Sequence, residues 1–304
     1  MHPHKIKSIL AAKDVFFMNK APLILFLVVS AISLTTGIHF ASCTKEVTVH
    51  DTVNVIKKDT VTVVDTLTIV DSSCAACYDL TEGLIAYYNF NGGNLNDSSG
   101  NNNNITFNNA VTATDRFGNA NNAYLFNGSS SYMSVPNSST LNPQKISIMA
   151  IMKVNDFYTG NCHGNSIVSK GAPDTSPGYM TLRFFDTDPN RCNGIPISDP
   201  SKEVFQGNLD VAGVVGDSAF IKTNQWINVV YTYDGLTNSL YINGELKFTA
   251  DVSSINPGNT SPLLIGKNDN PLYPYWFNGT IDEIRIYNRE LCAAEVRLLN
   301  KLKN

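Results

Sequence analysis

Charge is scarce in this chain, and a basic excess is missing altogether. Only 16% of the 304 residues are Asp, Glu, Lys or Arg, and the formal net charge is −4. Nucleic-acid binders carry a basic patch or stripe, so this composition excludes that class of partner. Histidine is thin as well. His2, His4 and His39 belong to an amino-terminal leader and His50 to the linker after it, which leaves His163 beside Cys162. One histidine in a Gly/Asn loop reads as ordinary surface rather than as part of a triad or a metal site. Helical patterns are absent apart from Cys292 to Leu299, where Cys292-Ala-Ala-Glu295 has the spacing of a capping box with a thiol in the capping position. What is plentiful is Asn, Ser, Thr and Gly, with 10% aromatics. Such a neutral polar surface suits an exported β-protein, and the length is ample for a substantial core.

Between Lys20 and Lys45 there is no charged side chain, and Ala21 to Leu34 is nearly all apolar. This is the layout of a secretory signal, with Met18-Asn-Lys20 as a compact basic start. Phe40-Ala41-Ser42-Cys43 resembles a bacterial lipobox, whose cysteine thiol takes a diacylglycerol, although leucine is commoner where Phe40 stands. The rival is a transmembrane anchor, since the run is long enough to span a bilayer. The expectation is a lipoprotein signal over 1–43 with Cys43 as lipid acceptor, and an exported chain anchored at the outer membrane or cell surface.

Residues 44–79 form a low-complexity linker. DTV recurs at Asp51 and Asp59 and returns as DTL at Asp65. These even spacings put the three aspartates on one side of an extended chain, together with a row of Val, Leu and Ile. Either the segment is a β-ribbon stalk that pairs with copies of itself, giving a homo-oligomer, or it is a loose tether; the tether is the expectation.

Without Cys43, five cysteines remain: Cys74, Cys77, Cys162, Cys192 and Cys292. Outside the cytoplasm cysteines tend to pair. Cys162 and Cys192 stand in loop-like text on either side of a strand-rich segment and are expected to bridge. A Cys77–Cys292 bridge would staple the first strand to the last, leaving Cys74 over. A zinc site at Cys74-x-x-Cys77 lacks two further ligands at suitable spacing.

From Leu80 to the end the text is a run of short strands. GLIAYYNF, AYLFNG, SYMSVP, KISIMAIMKV, GYMTLRFF, NLDVAGVV, WINVVYTY, SLYING, ELKFTA and PLLIG lead to a closing strand after Gly279, punctuated by Asn127-Gly128, Asp234-Gly235 and Asn243-Gly244. In the closing strand Ile281, Glu283, Arg285 and Tyr287 alternate with Asp282, Ile284 and Ile286. Two antiparallel sheets packed face to face are implied, an all-β sandwich over 80–304.

Four stretches in order, GLIAYYNFNGGNLNDSSGNNN, DRFGNANNAYLFNGSSSYMSVP, WINVVYTYDGLTNSLYINGEL and FNGTIDEIRIYNREL, resemble the successive signatures of concanavalin A-like, laminin G-like domains of bacterial surface proteins. The resemblance covers about Leu80 to Asn300. It implies a jelly roll that binds glycans or proteins, often built around calcium. The family's calcium carboxylates correspond here to Asp97 and Asp282, with an oxygen near Gly100 or Asn101; otherwise Asp97 forms an Asx-turn and Asp282 a salt link.

Some relatives on this fold hydrolyse glycosides, which takes two carboxylates facing one sugar bond. The Glu-x-Asp-x-x-Glu run of laminarinase-like members is absent, and Asp282 and Glu283, being adjacent, are expected on opposite faces. The expected protein is therefore not an enzyme but a surface module binding a glycan, or else a protein partner. Sugar C–H faces stack on aromatic rings, and sugar hydroxyls pair with amides and carboxylates. NDNPLYPYWFNG offers Asn268, Asp269, Tyr273, Tyr275 and Trp276, stiffened by Pro271 and Pro274, while GYMTLRFFDTD offers Tyr179, Arg183 and Asp186.

Overall fold

A computed structural model describes residues 79–302 apart from 173–177, 194–202, 210–211, 216–220 and 252–257, together with four short strands before residue 79. Those strands are β1 (Val47–Val49), β2 (Val53–Lys57), β3 (Thr60–Val64) and β4 (Leu67–Ile69). They make a unit by themselves, in which β1 pairs with β4 and β2 with β3, both antiparallel. The alternating Val/Thr text thus finds its ladder partners within one chain. The aspartates of the repeat, the leader, Cys43, Cys74 and Cys77 lie outside the described residues, and so does any bridge from Cys77 to Cys292.

The second unit holds the sandwich. Its strands are β5 (Leu84–Tyr88), β6 (Phe107–Asn108), β7 (Val111–Ala113), β8 (Ala123–Asn127), β9 (Met133–Val135), β10 (Ile146–Asp156), β11 (Gly164–Lys170) and β12 (Met180–Asp186). They continue with β13 (Glu203–Leu209), β14 (Ala212–Val215), β15 (Trp226–Tyr233), β16 (Thr237–Ile242), β17 (Glu245–Asp251), β18 (Leu263–Ile265) and β19 (Asn278–Tyr287), followed by the helix α1 (Ala293–Leu299). An eight-stranded sheet runs β17-β16-β15-β10-β19-β8-β7, with β5 also on β19; a seven-stranded sheet runs β14-β13-β12-β11-β18-β9-β6. One continuous core lies between them, with Phe126, Phe184, Phe205 and Phe277 in edge-on contact around its centre. First and last strands are neighbours, as expected, with Tyr87 opposite Arg285.

Two expectations need correction, and one strand is added. NLDVAGVV is not one strand: Leu209 and Ala212 are partners in an antiparallel ladder, so it splits between β13 and β14. GNSIVSK, absent from the expected strands, is β11 and is buried along its whole length. Asp282 and Glu283 do not face opposite ways. Between Ile281 and Glu283 the ladder with β10 slips by one residue, so Asp282 is the extra residue of a β-bulge. The bulge also switches the phase of alternation, so that Ile281, Ile284 and Ile286 all enter the core.

The outer face of the larger sheet is closed. Leu291, Val296 and Leu299 around α1 pack on Met149, Ile151, Val230, Tyr241 and Tyr287. Cys292 does cap the helix, and the Glu295 carboxylate accepts its N–H at 2.9 Å. Beside the helix, Arg116 donates to Asp282 at 2.6 Å and to Glu283 at 3.2 Å, and Glu283 accepts from Arg285 at 2.6 Å. Arg285 in turn lies over the Tyr87 ring at 4.1 Å. Burial pushes the Asp282 carboxyl above its ordinary value, against the pull of Arg116.

Candidate functional site

The outer face of the smaller sheet is built differently. Along β12, Leu182 and Phe184 enter the core, so Arg183 and Phe185 point outward. Register places Arg183 opposite Gln206 of β13, and its Nε donates to the Gln206 side-chain oxygen at 2.7 Å. The segment 267–276 crosses this face over β11, where the Ser166 N–H donates to the Tyr275 carbonyl at 2.8 Å. Gly164 permits that crossing: a Cβ there would lie 2.6 Å from the Tyr275 ring.

The crossing segment is pinned by its own amides. The Asn268 N–H donates to the Pro274 carbonyl at 2.6 Å, Asn268 Nδ2 to the Tyr273 carbonyl at 3.2 Å, and the Leu272 N–H to Asn270 Oδ1 at 2.9 Å. On the other side the Cys162–Cys192 disulfide is present as expected, joining the turns Asn161–His163 and Arg191–Asn193. Cys162, His163 and Tyr275 hold left-handed backbone at φ 59°, 46° and 47°. Such conformations cost of order 1–3 kcal/mol each and gather where a surface is held for a purpose.

Together these pieces enclose a cavity of about 440 Å³. Tyr273 and Tyr275 supply rings, Asn268, Asn270 and Gln206 supply amides, and Arg183 and Arg191 supply guanidinium groups, with Phe185, Gly164 and the disulfide completing the wall. Arg183 lies 5.6 Å from the Phe185 ring centre and 5.5 Å from that of Tyr275, and Arg191 lies 5.2 Å from Phe185.

Beneath the cavity, on the core side of the sheet, Asp186 and Glu203 stand directly opposite each other. His163 Nδ1 lies 3.2 Å from Asp186 Oδ2, and all three side chains are buried. Both Glu203 oxygens and His163 Nε2 are without hydrogen-bond partners. Burial, reinforced by the Asp186 charge, pushes the Glu203 carboxyl up to about 9, so it holds its proton at neutral pH.

Of the residues expected to bind ligand, Arg183, Asn268, Tyr273 and Tyr275 line this one cavity. Asp186 sits under it, one position out of phase with Arg183, and Asp269 lies next to the wall with its N–H on Asn268 Oδ1 at 2.9 Å. Tyr179 precedes β12, at the opposite end of that strand from Phe185. Trp276 points elsewhere: it shares Lys267 with Tyr132, the ammonium lying 5.3 and 4.8 Å from the two rings. Phe185, Gln206 and Arg191 were missed. Phe185 follows from Arg183 by alternation and Arg191 from the bridge at Cys192, but Gln206 needs the cross-strand register.

The residues expected to hold calcium have other partners. Asp97 accepts the N–H groups of Tyr87, Ser99 and Asn103 and the Ser99 hydroxyl, all at 2.8 to 2.9 Å, which makes it the Asx-type organiser of its turn. Asn101 Nδ2 donates to the Leu84 carbonyl at 2.9 Å, and its side chain lines a second cavity with Ser139, Thr140 and Gln144. Asp282 faces Arg116. Among the described residues Asp282 Oδ1 has no hydrogen-bond partner, and no three His, Cys, Asp or Glu side chains form a metal-binding group.

Two opposed antiparallel sheets, with a walled cavity on the outer face of one, define a jelly-roll sandwich. The chain belongs to the concanavalin A-like lectin/glucanases superfamily, whose laminin G-like family model matches residues 127–297. Among solved structures it is similar to domain 4 of AbnA, a GH43 extracellular arabinanase from Geobacillus stearothermophilus, in complex with arabinotriose. The identity is 22% and the TM-score 0.53, covering 72% of this chain and 98% of that one. It is also similar to the binding domain of Paraclostridial Mosquitocidal Protein 1 and to that of botulinum neurotoxin serotype D, each at 17% identity and TM-score 0.53. These matches cover 73% and 75% of this chain, which spans about half the length of either toxin domain, 52% in both cases. No curated protein matches the sequence.

Proposed function

We propose that this protein is a non-catalytic, surface-anchored glycan-binding module. The observation that carries this reading is the cavity on the smaller sheet, where two tyrosines, three side-chain amides and two arginines converge on a space of about 440 Å³. Rings for C–H faces, amides for hydroxyls and a pinned backbone are what a sugar site requires. Glycoside hydrolysis would need a carboxylate pair, and the described lining holds no Asp or Glu. The arabinotriose-bound neighbour supports a sugar ligand; the toxin binding domains are the reason to keep a surface protein as the second reading.

A glycan array followed by calorimetry tests the proposal. Tyr273→Ala, in a side chain that is 37% exposed, is expected to weaken binding of the best oligosaccharide by about tenfold or more while leaving the melting temperature in place. Absence of any glycan ligand, together with capture of a defined protein partner, would favour the second reading. Export and anchoring through Cys43 remain part of the proposal on the sequence of the leader. Globomycin should block maturation, and normal maturation of Cys43→Ser would remove the anchor from the account.

A further inference from the structure

The segment 267–276 has two flanks. Its middle, at Asn268, Asn270, Tyr273 and Tyr275, walls the cavity, while its two ends, Lys267 and Trp276, belong to a second group of side chains on the smaller sheet. Met133 and Val135 of β9 enter the core, so Tyr132 and Ser134 alternate outward. Phe107 stands opposite Ser134 in the ladder and therefore shares that outward side. The strand that carries it, β6, is the last of its sheet. The result is a row of three rings, with Phe107 and Tyr132 4.6 Å apart between centres and Tyr132 and Trp276 6.1 Å apart. None of the three is buried, and Phe107 is 42% exposed. Single exposed apolar residues are ordinary, but rings gathered against one another outside the core mark a contact surface. The row is held before any ligand arrives, since the Asn109 side chain accepts the Tyr132 N–H at 2.7 Å and donates to the Ser130 carbonyl at 3.0 Å. The Lys267 ammonium, 4.8 and 5.3 Å from the Tyr132 and Trp276 centres, adds a hydrogen-bond donor.

We propose that this row extends the glycan site: a polysaccharide with one part in the cavity continues past the segment 267–276 and lays its following sugars on Trp276, Tyr132 and Phe107. The inference rests on the reading of the cavity as a glycan site and adds the class of ligand, an extended chain rather than a short oligosaccharide. The occupant is a continuation of the same ligand because the two surfaces share one pinned stretch of backbone, in which Tyr275 and Trp276 are consecutive and Lys267 precedes Asn268. A ring presents the same flat apolar face to each sugar that reaches it, so a row of rings suits repeated units. Once the first part of the chain is seated, contact with the row is intramolecular and raises affinity without a second association step. Rings already fixed in place lose little freedom when they are covered.

The test is calorimetric titration of the protein with matched trisaccharides and octasaccharides of arabinan, xylan, mannan and galactan. In at least one series the octasaccharide is expected to bind about tenfold or more tighter than the trisaccharide. Extra registers of a long chain in the cavity raise its affinity in every variant alike, so the quantity to read is the share of that gain which a variant removes. Phe107→Ala, with the melting temperature as a check on folding, should cut the ratio several-fold and leave the trisaccharide where it was, whereas Tyr273→Ala should weaken both lengths together. Trp276→Ala should lower the ratio further. A ratio of wild-type size in both Phe107→Ala and Trp276→Ala would overturn the extension and leave the glycan site standing; loss of a defined protein partner in the same variants would then assign the row to that partner. Failure of every series to bind, with no ligand on a wider array, would overturn the glycan reading itself and the extension with it.

Discussion

Arginine and aromatic rings meet on both outer faces of this sandwich, to opposite ends. On the larger sheet Arg285 lies on Tyr87, but Glu283 lies beside it at 2.6 Å, Arg116 bridges Glu283 to Asp282, and Arg289 reaches Glu295 at 2.7 Å next to the capping helix. On the smaller sheet Arg183 and Arg191 meet Phe185 and Tyr275, and the described lining beside them offers amides. Where each cation is buried with its anion, the cluster is finished and holds the fold. Where they stand among rings and side-chain amides at a cavity, the same side chains form a surface offered to a ligand.

The sharpest way to break the comparison is to remove one cation from each face. Arg116→Ala leaves Asp282 and Glu283 buried without their shared partner. A loss of about 3–5 kcal/mol is expected by urea denaturation, softened at low pH where Asp282 takes up a proton. The affinity of the folded protein for its glycan should not change. Arg191→Gln should do the reverse, costing less than about 0.5 kcal/mol of stability while weakening binding of the glycan. Equal stability losses for both variants would erase the distinction between the faces.

A smaller effect concerns the layer beneath the cavity. Glu203 is held protonated in the fold, up to about 9, whereas the unfolded chain releases that proton near 4.5. A group raised in this way contributes its full stability below the lower value and loses it as pH rises towards the higher one. Denaturation of the wild type should therefore become easier between about pH 5 and about pH 9, and Glu203→Gln should flatten that slope, gaining on the order of 1–3 kcal/mol over the wild type at the alkaline end. A variant that tracks the wild type across this range would show Glu203 to be ionised throughout.

Much of this was legible in the sequence because it is local. The Asn-Gly turns, most of the strands, the capping box at Cys292, the loops that carry Cys162 and Cys192 and the ring-rich segment at 268–276 all declare themselves within a few residues. What was hidden depends on register. The β-bulge at Asp282 reverses the facing of everything before it on β19, and no residue type announces it. The partner of Asp282 proved to be Arg116, which is 166 residues away. Asp186 was expected in the site with Arg183, but an odd offset along a strand sends it through to the other side. GNSIVSK hid as a strand because its polar side chains are buried by distant or irregular partners, as when Ser169 donates to the Lys267 carbonyl at 2.8 Å and Asn165 Nδ2 to the His163 carbonyl at 3.1 Å.

The most direct measurement is hydrogen exchange of the protein with and without a saturating concentration of the oligosaccharide that binds best on the array. Binding at the proposed cavity predicts added protection in Met180–Asp186, in the turn at Arg191 and in residues 267–276, with the amides of α1 and β19 unchanged. Protection confined to the helix-covered face, or to the surface around Tyr132 and Trp276, would contradict the account.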